Sequence, residues 1–216
     1  MSFSIENGDT IENGDTGKAD VVVQVKKPAV RDAILASAFA LFSRHGYAGT
    51  SLAAIAAEAG VTTSNIYRYY GSKLEILYAV FGPWFTAHLD RLEARLKRLR
   101  SPRARLRAIL LALWRDIPEA DNGFYNNVMQ ALATMTPGEG YSRDLITRLE
   151  SRFSEMIRAT LPPKRRHLVE RNLLAHALFM GSDGFAINVK LNGPAPKVTE
   201  IVDLICDLLM GEAERP

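Results

Sequence analysis

Ile34, Leu35, Ala38, Phe39, Leu41 and Phe42 recur at helical spacing and predict a first helix from about Ala29 to Arg44. Gly46 stands where a helix ends on a C-terminal glycine. Two shorter helical patterns follow, SLAAIAAEA and TSNIYRYY, joined by Gly60-Val61-Thr62, the small-residue corner that a tight helix pair needs. Thr62 can cap the second of these through its hydroxyl. Ser72-Lys73-Leu74-Glu75 then spells a capping box and opens a longer helix directly after Gly71. That helix is expected from Ser72 to about Arg100, with a kink or break at Gly82-Pro83, because Pro83 cannot donate to the carbonyl four residues back. Further helices read as Pro102 to Ile117, Asn122 to Met135, Tyr141 to Leu161, Lys164 to Leu191 and Lys197 to Met210. Pro118, Pro137-Gly138, Pro162-Pro163 and Asn192-Gly193-Pro194 mark the joints. No stretch alternates at the strand period over a useful length, so the fold class is all-α.

The 216 residues divide into a tail (1–28), a compact three-helix unit (29–82) and a larger helical unit (83–216). The tail holds the hexapeptide IENGDT twice in tandem, at 5–10 and 11–16, and its turn-rich composition predicts disorder. A passively carried duplication is the favoured account of it, a functional role the alternative. Hydrophobic content of 47% suits a packed interior, and no apolar run approaches the ~20 residues that span a bilayer. Met1 to Val25 lacks the charged-then-apolar order of a secretory signal. A single cysteine, Cys206, excludes an internal disulfide or a cysteine-based zinc site and fits a reducing cytoplasm. No metal or cofactor is expected.

Net charge is +3, which neither demands nor excludes nucleic acid. Arg91, Arg95, Lys97, Arg98, Arg100, Arg103, Arg105, Arg107 and Arg115 form a dense basic run, but Leu92, Leu96 and Leu99 alternate with them at helical spacing. The run therefore reads as a solvated helix face, one that can still raise the local potential for a polyanion.

Chemistry concentrates between residues 47 and 77. Two short helices at a tight corner, with capped ends on either side, are the parts of a helix-turn-helix, whose second helix enters the DNA major groove. Thr50 and Ser51 precede the first helix of the pair, where hydroxyl and free N–H groups can hold a phosphate. Lys73 opposes the dipole of its own helix, a cost that a neighbouring phosphate would reverse. Tyr67 and Tyr69 can offer phenolic hydroxyls to the DNA backbone. Thr63, Ser64, Asn65 and Arg68 are the candidates for base edges, Asn65 favouring adenine and Arg68 guanine. The plainer readings are that Thr50, Thr62 and Ser72 only cap helices, at ~1 kcal/mol each, that Tyr67 is half core, and that Arg68 touches phosphate.

The run Gly46-Tyr47-Ala48-Gly49-Thr50-Ser51-Leu52, with Ile55-Ala56, Ala59-Gly60-Val61, Ile66-Tyr67, Tyr69-Tyr70, Ser72-Lys73 and Leu77, closely resembles the N-terminal domain of the tetracycline-repressor (TetR) family over roughly residues 29 to 82. Tyr69 and Tyr70 depart mildly from the family's usual His and Phe. Thr63, Ser64 and Asn65 occupy variable positions, so no operator sequence carries over. The resemblance implies that the remainder binds a small-molecule effector among its helices and pairs with a second copy through its last two helices.

The larger unit offers its own support for pairing. Ala177, Gly181 and Gly184 lie in a helix where glycine costs ~1 kcal/mol, which suggests close approach of another helix. Ile201, Ile205 and Leu208 belong to an apolar face broader than a surface helix needs. The alternative is that both helices pack inside one monomer. Candidates to line an effector cavity are Trp84, Phe85, His88, Trp114, Phe124, Met129, Phe153, Phe179 and Asp183, with Tyr125 and His176 nearby in the pattern. Many of these are expected to be plain core. Asp183 is either a pocket anchor or a partner for an arginine across a dimer.

The expected function is thus a cytoplasmic, homodimeric, sequence-specific transcription regulator, a repressor released from a palindromic operator by a small molecule. The alternative is a DNA-binding regulator with a filled core and no effector. A helical enzyme is disfavoured: the larger unit has no HExxH, Gly-rich phosphate loop, Cys–His pair or paired carboxylate set.

Overall fold

The computed structural model describes residues 27–135, 143–193 and 197–211. The tandem IENGDT repeat lies outside them. α1 (Pro28–His45), α2 (Leu52–Glu58) and α3 (Thr63–Tyr69) form the N-terminal unit, and α4 (Lys73–Leu96) runs out of it. α5 (Pro102–Leu111), α6 (Ile117–Gly123), α7 (Asn126–Ala133), α8 (Asp144–Thr160), α9 (Leu173–Asn192) and α10 (Val198–Met210) complete the chain. Every regular element among the described residues is helical.

The helix starts follow local chemistry. Ser51, Thr62, Ser72 and Ser101 each accept, through the side-chain hydroxyl, an N–H three residues on. Glu75 reciprocates at the α4 start by accepting the Gly71 N–H at 2.7 Å. Between α1 and α2 the chain folds back so tightly that a Cβ on Gly49 would stand 2.4 Å from the His45 carbonyl oxygen.

Four boundaries differ from expectation. α4 continues unbroken through Pro83, which is exposed, so the orphaned Ala79 carbonyl falls on the side that water reaches. Gly82 serves instead as a seat for Leu145, whose methyls lie 3.5 and 3.8 Å from where a Cβ would be. After α5 the helix widens into a π turn over Ala112–Asp116, where the Ile117 N–H reaches back to the Ala112 carbonyl ahead of Pro118. A helix from Asn122 fails because Asp121, Asn122 and Gly123 all adopt positive φ (48°, 59° and 71°). Their side chains explain the cost: Asp121 accepts the Trp84 indole N–H at 2.6 Å, and the Asn122 amide donates to the Ser43 carbonyl at 2.8 Å. Similarly, residues 163–172 form a tighter 3-10 segment, and Arg171 and Asn172, at φ 62° and 58°, separate it from α9.

One hydrophobic core runs through both units. Phe39 of α1 packs on Phe124 (centroids 4.8 Å apart), Phe124 on Phe81 of α4 (6.4 Å), and Phe81 on Phe85 (5.5 Å). Phe179 of α9 then stacks on Phe85 at 6.1 Å, and Phe153 of α8 meets Phe179 edge-on at 5.2 Å. At the far end, α10 is held on α5 by ion pairs. Arg107 reaches Asp203 at 2.8 Å, and Arg103 reaches Asp207, with its Nε at 3.1 Å. Part of the basic run is therefore an inter-helix staple rather than a solvated face.

Gly49→Ala should destabilise the N-terminal unit by about 1–3 kcal/mol, because the new methyl must displace backbone. A thermal melt would register this as a fall of about 2–4 °C per kcal/mol. An unchanged melt would mean that the turn relaxes freely.

Candidate nucleic-acid interface and cavity

α2 and α3 form a helix-turn-helix whose corner is set by Gly60 at φ +66°, with the Val61 N–H bonded to the Ala56 carbonyl at 2.9 Å. Ile55 and Ile66 are wholly buried and fix the rotation of both helices. Ser64, Tyr67 and Arg68 consequently face solvent, while Thr63 and Asn65 are half-buried on the flanks of the same helix. Tyr67 is 57% exposed, so the expected packing of its ring into the core does not occur.

Three groups expected to be free for a phosphate are engaged within the chain. Thr50 is buried, and its hydroxyl donates to the Gly46 carbonyl at 2.8 Å. Tyr69 turns towards the start of α1, where its hydroxyl accepts the Lys27 N–H at 2.9 Å. Lys73 donates to the carbonyls of Tyr47 and Thr50, both at 2.8 Å, and its ammonium sits 4.1 Å from the centre of the Tyr47 ring. Partial burial lowers the Lys73 pKa from its ordinary value. Lys73 thus offsets the dipole cost with the chain's own carbonyls and ties the loop before α2 to the start of α4. Ser51 and Thr62 remain exposed at the helix starts, their hydroxyls acting as caps.

The larger unit encloses a cavity of about 220 Å³ among α4, α7, α8 and α9. Of the sequence candidates, Phe85, Met129, Phe179 and Asp183 line it, and Phe81, Tyr125, Glu150 and His176 join them. Trp84, His88, Trp114, Phe124 and Phe153 do not line it. Trp84 is spent on Asp121, and the His88 Nδ1 lies 3.0 Å from the Trp84 carbonyl in the first turn below it. Trp114 donates to the Leu178 carbonyl at 2.9 Å and stacks on Phe185, while Phe124 and Phe153 are links in the aromatic core. Helical spacing could not separate these roles, since core and cavity residues share the same faces.

The cavity's polar groups are arranged in two sets. Glu150, buried on α8, lies 2.8 Å from the His176 Nδ1. Tyr125 donates to Asp183 at 2.7 Å and lies 3.0 Å from the Ser182 hydroxyl. Burial, reinforced by the Asp183 charge, raises the Tyr125 pKa well above its ordinary value, so the phenol stays a donor. Burial likewise raises the Asp183 pKa from the usual carboxylate value, against the lowering effect of the Tyr125 bond.

α7 joins the two regions. Met129 and Val128 face the cavity, and the next residue round the same helix, Gln130, faces the N-terminal unit, where its Oε1 accepts the Ala48 N–H at 3.2 Å. Gln130 was invisible to sequence reading, because its partner lies 82 positions away.

A second surface runs along the outside of α9 and α10. Ala177 and Gly184 face outward as expected, between Leu173 (60% exposed), Met180 (56%), Ile187 and Leu191. Alternating steps of four and three give a straight apolar stripe, a spacing readable in the sequence. Ile201, Leu204 and Leu208 are likewise exposed on α10. Two expected members point elsewhere: Gly181 faces the Trp114 ring inside the monomer, where a Cβ would stand 3.4 Å from Nε1, and Ile205 packs on the core.

Residues 34–80 match the family model for bacterial regulatory proteins, tetR family. This N-terminal domain is of the tetR family. Solved structures of similar fold cover most of the chain. The fatty acid degradation regulator FadR from Bacillus halodurans is 17% identical with a TM-score of 0.59, covering 88% of this chain and 100% of that one. FadR from Bacillus subtilis in complex with stearoyl-CoA is 18% identical (TM-score 0.59; 83% and 97% covered). A transcriptional regulator from Saccharomonospora viridis in complex with choline is 22% identical (TM-score 0.58; 86% and 97% covered). The chain therefore has the all-α fold of tetR-family transcription regulators. No curated protein matches the sequence significantly. Among the described residues no helix is long and apolar enough to cross a membrane.

Lys73→Met should remove two charge-assisted hydrogen bonds and cost about 1–2 kcal/mol at this half-exposed position, measurable by chemical denaturation. A variant of unchanged stability would return Lys73 to the role of a free cation.

Proposed function

We propose that this chain is a homodimeric repressor that binds a palindromic DNA operator through α3 and is released when a small molecule occupies the cavity. The observation that carries the effector half of this reading is α7, one helix that walls the cavity with Met129 and holds the helix-turn-helix loop with Gln130. A ligand that displaces α7 changes the seat of the reading head, and so favours one of two arrangements by differential affinity. The open cavity argues against a DNA-binding regulator with a filled core. Solved relatives of this fold hold stearoyl-CoA or choline, and at 18% and 22% identity they support small-molecule binding without naming the ligand.

For the DNA half, Tyr67, Arg68 and Ser64 are the protruding groups of α3, with Thr63 and Asn65 on its flanks. Ser51 and Thr62 leave exposed helix starts at the same surface, suited to phosphate. Thr50, Tyr69 and Lys73 act one step behind, by holding the loop and the start of α1. The outer stripe of α9 and α10 supplies the isologous contact that sets two reading heads on one operator.

Selection of bound fragments from random duplex DNA should recover an inverted repeat, and Tyr67→Ala should weaken binding to it at least tenfold with an unchanged melt. Failure to enrich any sequence at low salt would overturn the proposal. Val128→Phe, which fills the cavity, should mimic the effector and weaken operator binding within the roughly 5- to 150-fold range of allosteric coupling. Adding Gln130→Ala should suppress that response. An equal loss with and without Gln130 would remove α7 as the link.

A further inference from the structure

The cavity is small and mostly apolar, with a group of aromatic rings on one side and two carboxylates set against His176 and a rim arginine. Phe81, Phe85 and Phe179 present rings from α4 and α9, with Phe85 and Phe179 stacked at 6.1 Å and Phe81 5.9 Å from the Tyr125 ring. Two carboxylates enter it, Glu150 from α8 and Asp183 from α9. They are not equivalent. Glu150 has His176 at 2.8 Å, which neutralises it whenever the imidazole is protonated. Asp183 has the neutral Tyr125 hydroxyl at 2.7 Å and forms no direct ion pair among the described residues; the His176 imidazole, paired with Glu150, acts on it only from further away. Arg143 also reaches the lining, but it is exposed at the rim, where water screens its charge.

A carboxylate half-withdrawn from water beside aromatic faces costs free energy unless a positive charge arrives. Rings of phenylalanine and tyrosine present negative faces, so the same walls attract a cation. A volume of about 220 Å³ falls below the roughly 300–1,000 Å³ of drug-sized sites and limits the occupant to a compact molecule. An anion would meet two carboxylates, and a neutral molecule would leave Asp183 with only the Tyr125 hydrogen bond and the more distant His176.

We infer that the cavity takes a compact organic cation, an amine or quaternary ammonium with an apolar body, packed against the rings of Phe85 and Phe179 with its charge against Asp183. This rests on the effector reading and adds the chemical class of the ligand.

The test is a matched series titrated into the full chain by calorimetry and thermal shift: 2-phenylethylamine and tetraethylammonium as cations, 2-phenylethanol as the uncharged shape, phenylacetate as the anion. The cations should bind at least tenfold more tightly than 2-phenylethanol, with phenylacetate weakest. Asp183→Asn, which keeps the shape and can still accept from Tyr125, should lose about tenfold in cation affinity and nothing for 2-phenylethanol. Failure of both cations to bind wild type, or tighter binding of the alcohol or phenylacetate, overturns the inference; the wild-type series decides even where the variant folds poorly. Operator release is read separately. A phenylacetate-bound protein that releases DNA keeps the effector reading and sinks the cation, while a cation that binds without releasing DNA does the reverse.

Discussion

Phe124 stands between Phe39 of α1 and Phe81 of α4, 4.8 and 6.4 Å from their ring centres. Phe81 and Phe85 carry the same row of rings on to Phe179 and Phe153. This continuity is the constraint on which the rest depends. The helix-turn-helix pair has little interior of its own, since α2 and α3 are seven residues each, well below the ~12–15 at which an isolated helix becomes even marginal. They persist because α1 and α4 lend them the core of the larger unit. The reading head is therefore not an independent bead on a linker. Its orientation is a property of the packing behind it, which is why a change at the cavity wall can reach it.

How much was legible in sequence depended on distance along the chain. The capped starts at Thr62 and Ser72, the corner at Gly60 and the end of α1 at Gly46 use partners within a few residues, and each stands where the local pattern placed it, whereas the cap of α2 falls on Ser51 and not on Thr50. Lys73 and Tyr69 were misread in detail for the opposite reason. Their partners, Tyr47 and Lys27, lie 26 and 42 positions away, and a residue rich in donors looks free until the fold supplies its acceptors. The same limit applies to the cavity. Trp84 and Phe85 are adjacent in sequence, but a helix turns about 100° per residue. One ring therefore meets the Asp121 carboxylate while its neighbour faces the cavity.

The unforeseen break at Asp121–Gly123 shows how side-chain chemistry can override a helical pattern. Three consecutive left-handed residues are costly, yet Asp121 and Asn122 bind Trp84 and Ser43, fixing the turn between the π segment and α7. That turn delivers α7 at the angle where Gln130 meets Ala48. A straight helix from Asn122 would have carried Gln130 elsewhere.

Met180 completes the geometry. It lines the cavity and is also 56% exposed on the outer apolar stripe of α9, between Ala177 and Gly184. With the stripe as the pairing surface, one side chain belongs to both the ligand site and the subunit contact. On the proposed reading, occupation of the cavity would act in two directions from a single place: through α7 on the tilt of each reading head, and through Met180 on the contact that spaces the two heads. A palindromic site is sensitive to both, since each head must meet the groove in register with its partner. Asp183, one turn further along α9, would on the same reading hold the ligand's charge next to that joint.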